Sequence, residues 1–436
     1  MEFTVKIPQI ALEAGGLSQF LGGSGGGYGT LGHRAGIFNL AWFYPILAAW
    51  KKGGWDMAPA ARFGDFANQD VANYLVRLKV PAGTRVASTG VELGRRPSGD
   101  GRVELFLAAA GVRHFAIQAS AGYEIFESTS GGTKVRVFTY GKNESLARRL
   151  AEEASRALRW LEKRLVAYPF TELDVAVAPL VQGAGGMEHP GLAVVADMAV
   201  DPPLAGPMAG VARQLLESFN VAEFVVDHEV AHQWFQVLVG TDQSAEPYVD
   251  EPLANYLAVM AFEDLHGSRK AEQQLELQLV LPIQLWFALG GRDGVVARPA
   301  GGFADQLEYT AFIYGKGSLF YHALRRRAGK KRLLKCLSGV CRDFGFRRLD
   351  SSALFSGLGK CLRMRGFAAL RDRWFHSRKI VEDLKRLGFR WGRSIDELFG
   401  LLAGAGAGGG NVKFGGQMNE ALLKAFQQAL EQLAAP

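Results

Sequence analysis

Residues 225–255 read VVDHEVAHQWFQVLVGTDQSAEPYVDEPLAN, and they contain His228-Glu229-Val230-Ala231-His232 on a run whose pattern is helical. Two histidines four apart lie one turn above each other on a single helix face, so both imidazoles can reach one metal ion. Glu229 follows His228 and flanks that metal, where it could take a proton from a bound water. A catalytic zinc site needs a third protein ligand and an open fourth position. Glu251 is the candidate: 18 residues separate it from His232, and it opens a second helical run, 251–265. One buried histidine is ordinary core chemistry. Two at this spacing, with a glutamate between them and an acid opening the next helix, point to a metal.

HEVAHQWF followed by the 18-residue gap to Glu251 resembles the zinc site of the aminopeptidase N and leukotriene hydrolase family. Thermolysin-like enzymes share the design with a slightly different gap. Two further segments carry the resemblance. Gly185-Gly186-Met187-Glu188-His189 is similar to the family's G-x-M-E-N segment, with histidine in place of asparagine and Pro190 following. The resemblance implies that Glu188 holds the free α-ammonium of a substrate, with Gly185, Gly186 and Met187 beside its backbone. Read without it, the segment is a glycine turn between two strands. Tyr314-Gly315-Lys316-Gly317 resembles the family's catalytic tyrosine segment, which implies that Tyr314 donates a hydrogen bond to an oxyanion. Read alone, Tyr314 is a packed aromatic. Asn255, four residues after Glu251, shares its helix face and is a candidate to accept the second N–H of a metal-bound histidine. His189, His266, His322 and His376 read as structural or exposed.

Composition bounds the rest. A chain of 436 residues, 48% hydrophobic, suffices for two or three domains with proper cores. The net charge of +7 is modest, and its basic excess falls in Arg325–Arg327, Lys330–Arg332 and Arg347-Arg348. No aromatic stacking platform accompanies those residues, so a solvated helix face is expected and nucleic acid is not. The three cysteines (Cys336, Cys341, Cys361) form no C-x-x-C, which argues against a disulfide framework and a second zinc site. No run of eighteen apolar residues suggests a membrane span. The first residues, MEFTVKIPQIALE, lack a basic head and apolar stretch, so the sequence as it stands reads as cytoplasmic.

Along the chain, residues 1–35 are glycine-rich and uninformative. Residues 73–80 alternate as a strand, closed by Pro81-Ala82-Gly83, and 86–93, 103–107, 114–119 and 134–140 are further strand candidates. At Asn143, a candidate N-cap, the period changes: Leu146, Leu150, Ala154, Leu158, Leu161 and Leu165 mark an amphipathic helix. Residues 173–178 read as a buried strand. The expected architecture is α+β and multidomain. An N-terminal antiparallel β domain (1–142) precedes a thermolysin-like catalytic domain (143–400) made of a small mixed sheet plus helices. A Gly/Ala linker and C-terminal helix follow (401–436), the helix carrying Leu422, Phe426, Leu430 and Leu433.

Against the family, whose resemblance spans roughly residues 35–380, the β domain is short, as if its first sheet were missing. That leaves an edge expected at strands 71–80 or 103–107, open or covered by residues 1–35, with self-association through it. Taken together, the resemblance implies one Zn2+ held by His228, His232 and Glu251, with Glu229 as general base. The implied substrate is a peptide with a free N-terminus. A zinc endopeptidase or other hydrolase of the same fold, and a non-catalytic scaffold or binding member of the family, are the alternatives.

Overall fold

The computed structural model describes residues 1–11, 27–51, 53–57, 61, 64–65, 67–141, 143–201 and 207–392. The Gly/Ala linker and last amphipathic helix read at 401–436 lie outside the described residues.

The N-terminal region is antiparallel. Strands β1 (Leu31–Arg34), β2 (Ile37–Leu40), β6 (Arg85–Ser88) and β9 (Ile117–Ser120) form one sheet in the order β1-β2-β9-β6. A hairpin of β3 (Trp50–Lys51) and β4 (Gly54–Trp55) stands apart. Strands β5 (Ala72–Pro81), β7 (Val91–Gly99) and β8 (Arg102–Val112) form a second sheet in the order β5-β8-β7. The continuous strand expected over 86–93 is broken at Thr89-Gly90, where the chain crosses from the first sheet to the second. A side chain on Gly90 would lie 2.8 Å from the Ala108 carbonyl oxygen, so the crossing needs glycine. Residues 1–35 are not uninformative either: Ile10 and Pro8 bond to His33, and β1 and β2 form a hairpin.

The expected open edge is found on one of the two strands named for it. The outer edge of β5 carries no strand among the described residues, and Leu75 on it is 86% exposed. The 103–107 segment is the correction. It belongs to β8, which is central and paired on both sides. Residues 1–11 run beside β1 and leave β5 uncovered.

A separate, five-stranded sheet carries the site. It takes β10 (Glu124–Ser130), β11 (Thr133–Thr139), β12 (Glu172–Ala178), β13 (Gly186–His189) and β14 (Leu192–Ala196) in the order β10-β11-β12-β14-β13. Strands β11, β12 and β14 are parallel and β13 runs antiparallel at the edge. The boundary read at 142 therefore runs through one sheet, since β10 and β11 precede it. The change of period at Asn143 marks a new element, the helix Glu144–Arg164. Asn143 caps that helix by accepting from Leu146 N–H at 3.0 Å, and its leucine stripe is buried as the spacing predicts.

This helix packs between the sheet and the helix Val221–His232, which also touches β13, β14 and the helix Glu251–His266. Surrounded on every side, Val221–His232 is buried almost throughout, so its polar residues must be satisfied by one another or by a ligand. Arg113, fully buried between β8 and β9, ties the two regions together. Its guanidinium donates to the carbonyls of Gln236, Val237, Leu238, Gln69 and Arg347.

After the zinc stretch helices dominate. Two of them, Lys330–Phe344 and Ser351–Leu362, are joined by a disulfide between Cys336 and Cys361, with Cys341 buried and free. This corrects the expectation drawn from the odd cysteine count. The pairing arises from helix packing across 25 residues, which cysteine spacing does not encode. No helix among the described residues is long and apolar enough to cross a membrane.

Candidate metal centre and active site

His228 and His232 stack on one face of their helix, as i,i+4 spacing requires, and Glu251 reaches them from the first turn of the next. That turn is firmly made. Asp250 caps it by accepting from Glu251 N–H, and Thr241 Oγ1 donates to the second Asp250 oxygen at 2.7 Å. His232 Nε2 lies 3.1 Å from His228 Nε2, and Glu251 Oε2 lies 3.3 Å from the former and 3.4 Å from the latter. Ligands at about 2.0–2.1 Å on a tetrahedral zinc stand about 3.3 Å apart, so these atoms outline one face of such a site. Two imidazoles and one carboxylate are the donor set of a catalytic zinc site that leaves a fourth position open. His232 Nδ1 is 3.0 Å from the Phe235 carbonyl, which fixes the tautomer that leaves Nε2 free to bind metal. Glu251 Oε2 is buried with no hydrogen-bond donor, an arrangement that costs stability unless a cation sits there. The residues fit zinc.

Asn255 is a correction. Its amide does not meet a histidine; Nδ2 donates to the Tyr314 carbonyl at 3.1 Å and faces Ser318 Oγ at 3.4 Å. The oxygen that takes the histidine N–H is the Phe235 carbonyl, contributed by the chain leaving the helix. Asn255 instead fastens the segment that carries Tyr314. That segment is a wide π-helical stretch, Thr310–Gly317, a form often found where a helix must re-aim a side chain. A side chain on Gly317 would lie 2.7 Å from Pro252, so glycine lets this stretch press against the Glu251 helix. Lys316 is buried and donates to Asp293, the Gly294 carbonyl and the Ser377 carbonyl, using all three of its N–H groups.

A cleft of about 240 Å³ joins these groups, lined by His228, Glu229, Glu251, Glu188, Gly186 and Tyr314 among others. Burial, with Glu188 and Glu251 adding to it, pushes the Glu229 carboxyl well above its usual range, against the pull of His232. Burial likewise raises the Tyr314 phenol, so it keeps its proton and can donate. Burial acts upward on Glu251 too, but His232 and His228 hold it well below the usual carboxylate range.

Glu188 projects from β13, at the edge of the sheet beside the cleft. Gly186 has a sharper purpose than closeness to a ligand: a side chain there would sit 2.3 Å from Glu229 Oε1. At Gly185 it would meet only Val225, at 3.4 Å. Met187 lines a small recess together with Glu188, Asp65, His114 and Gln243.

Two further residues of the site, Asp65 and Gln243, are absent from the sequence reading. Asp65 lies within 4.8 Å of Glu188 and Glu251, on a chain segment held by Tyr28, whose hydroxyl accepts from Gly64 N–H and donates to Gln306. Nothing near Asp65 in sequence marks it. Gln243 lay in plain view between His232 and Glu251, where its position alone could have flagged it. His189 pairs with His114 at 2.9 Å, a structural role as read; His266 bonds Glu153, His322 bonds Tyr256, and His376 is exposed.

The peptidase family M1 domain matches residues 150–374, and the chain belongs to that family. The alanine/arginine aminopeptidase of Saccharomyces cerevisiae is 25% identical over 240 residues, covering 53% of this chain and 26% of the yeast protein. Endoplasmic reticulum aminopeptidase 2 of Homo sapiens is 23% identical over 242 residues, covering 54% of this chain and 24% of the human one. The matched part thus spans about a quarter of these relatives' length. A mutant M1 zinc metallopeptidase from Deinococcus radiodurans shares the fold, with a TM-score of 0.51 at 19% identity over 71% of this chain and 65% of that one.

Proposed function

We propose that this chain is a zinc-dependent aminopeptidase that removes N-terminal residues from peptides. The observation that carries the reading is the convergence of His228 Nε2, His232 Nε2 and Glu251 Oε2 at 3.1–3.4 Å from one another. Bound there, zinc would supply Lewis acidity to a scissile carbonyl and acidify the attacking water. Glu229, beside the ligands and opening on the same cleft, takes the water's proton and hands it to the leaving amine. Tyr314, protonated and fastened from behind by Asn255, donates to the oxyanion that develops on the carbonyl. Glu188 accepts the substrate's α-ammonium, which sets the register so that the first peptide bond meets Glu229.

Zinc analysis joined to hydrolysis of aminoacyl amides tests this. One zinc per chain and efficient cleavage of free-amine substrates are expected, with N-acetylated controls cleaved poorly. Internal cleavage of blocked peptides would make it an endopeptidase, and zinc without turnover of either class would leave a binding module. The open β5 edge is, on the same reading, a surface for a second copy or a partner strand. A monomer at every concentration in sedimentation would remove that part.

A further inference from the structure

Residues 241–243, in the loop between the two zinc helices, make three contacts in three directions. Thr241 braces the cap of the Glu251 helix through Asp250. Asp242 receives Lys51 Nζ at 2.6 Å from the N-terminal region. Gln243, 1% exposed, bridges both regions. Its Oε1 accepts from Ala67 N–H at 3.1 Å, its own N–H donates to the Ala67 carbonyl at 3.2 Å, and its Nε2 donates to Glu188 Oε1 at 2.5 Å.

These bonds settle which way the amide faces. A backbone N–H can only donate, so the amide oxygen must face Ala67 and the NH2 must face Glu188. That NH2 has no lone pair to offer, so Glu188 Oε1 is held as an acceptor. No lysine or arginine among the described residues forms an ion pair with Glu188, leaving Gln243 as its side-chain donor. The carboxylate is buried and hydrogen-bonded on one side, and it opens on the cleft on the other.

We infer that Gln243 is the positioning residue of the ammonium subsite. It fixes the Glu188 carboxylate in the orientation that accepts a free α-amine, and through Ala67 it makes the N-terminal β region part of the selecting wall. This rests on the aminopeptidase reading. Its consequence is that discrimination between free and blocked N-termini depends on a residue that touches neither metal nor scissile bond.

Two substitutions separate the two ends of the amide. Gln243→Glu keeps an acceptor for Ala67 N–H but sets a carboxylate against Glu188; Gln243→Leu removes both bonds. Both variants should raise KM for alanyl anilide about tenfold or more, the worth of one hydrogen bond to a charged group, with kcat nearly unchanged. Cleavage of the N-acetyl anilide should not change. Affinity for free alanine, measured by calorimetry, should fall by the same factor as KM rises. Gln243→Glu should be at least as impaired as Gln243→Leu. If Gln243→Glu matches the wild type, the glutamine only pins Ala67 and the inference is wrong. A fall in kcat shared by free and blocked substrates would also overturn it, as a general structural defect. A wild type indifferent to N-acetylation would instead sink the aminopeptidase reading beneath it.

Discussion

The two ends of the cleft are built by different rules. At the metal end the three candidate ligands and Glu229 come from one 24-residue stretch, His228 to Glu251, and helix periodicity alone turns the two histidines to one face. At the amine end the groups come from β13, from the 241–243 loop and from the N-terminal region around Asp65 and Ala67. Local geometry assembles the first end. The second exists only once two regions have docked, through Arg113, Lys51 and Gln243. The metal-ligand set is thus written locally and selectivity is written across the fold.

That contrast makes its largest prediction at the metal end. Glu229→Gln should retain zinc yet lose on the order of 10³–10⁴ in kcat, because an amide cannot accept the water's proton. Zinc content by atomic absorption and turnover on the same sample check both halves. Equal loss of zinc and activity would instead make Glu229 a structural prop. Next comes Tyr314→Phe, which should lower kcat by about 10²–10³ with little change in KM, the sign of a bond made in the transition state.

The glycines sharpen the comparison, because adjacent residues should behave differently. Gly186→Ala pushes a methyl group into the space of Glu229 Oε1, so a loss of roughly 10²-fold in kcat is expected from its displacement. Gly185→Ala, which meets only a valine methyl, should stay within a few-fold of wild type. Similar losses in the two would mean that the segment serves substrate backbone rather than Glu229.

The smallest expected effect concerns the contact between regions. Burial lowers the His189 imidazole to about 3, and burial, with His189 and Arg113, holds His114 well below its usual value. In the unfolded chain both would protonate near 6.5, so the unfolded state binds more protons below that pH. The stability of the neutral pair is present above about pH 6.5 and is lost as pH falls toward 3. At pH 5 this is roughly 2 kcal/mol for His189 alone. Urea midpoints at pH 7 and pH 5 should show the drop, and His189→Asn should shrink it.

What was legible in the sequence follows the same division. The i,i+4 histidines, the cap at Asn143 and the leucine stripe after it all depend on residues a few positions apart, and each has a short-range physical cause. Asn255 was placed on the right face but given the wrong neighbour, because the Phe235 carbonyl that serves His232 belongs to the backbone, which side-chain patterns do not reveal. The sheet that crosses position 142 was hidden for a similar reason: a change of period signals a new element, whereas membership of a sheet is decided by pairing with a strand 38 residues away (Lys134 with Glu172). Cys336–Cys361 and Asp65 are tertiary events with no local signature, and Gln243, though between His232 and Glu251 in sequence, gains its partners Ala67 and Glu188 only in the fold.

One measurement bears most directly on the claim that a metal end and an amine end make a single aminopeptidase site. It is the ratio of kcat/KM for a free-amine aminoacyl amide to that for its N-acetyl form, in wild type and in Glu188→Ala at matched zinc content. The wild type should favour the free amine strongly. Glu188→Ala should lose at least about 100-fold on that substrate, as expected when one partner of a desolvated ion pair is removed, and nothing on the blocked one. A wild type that cleaves both forms alike, or a Glu188→Ala variant that keeps the wild-type ratio, would contradict it.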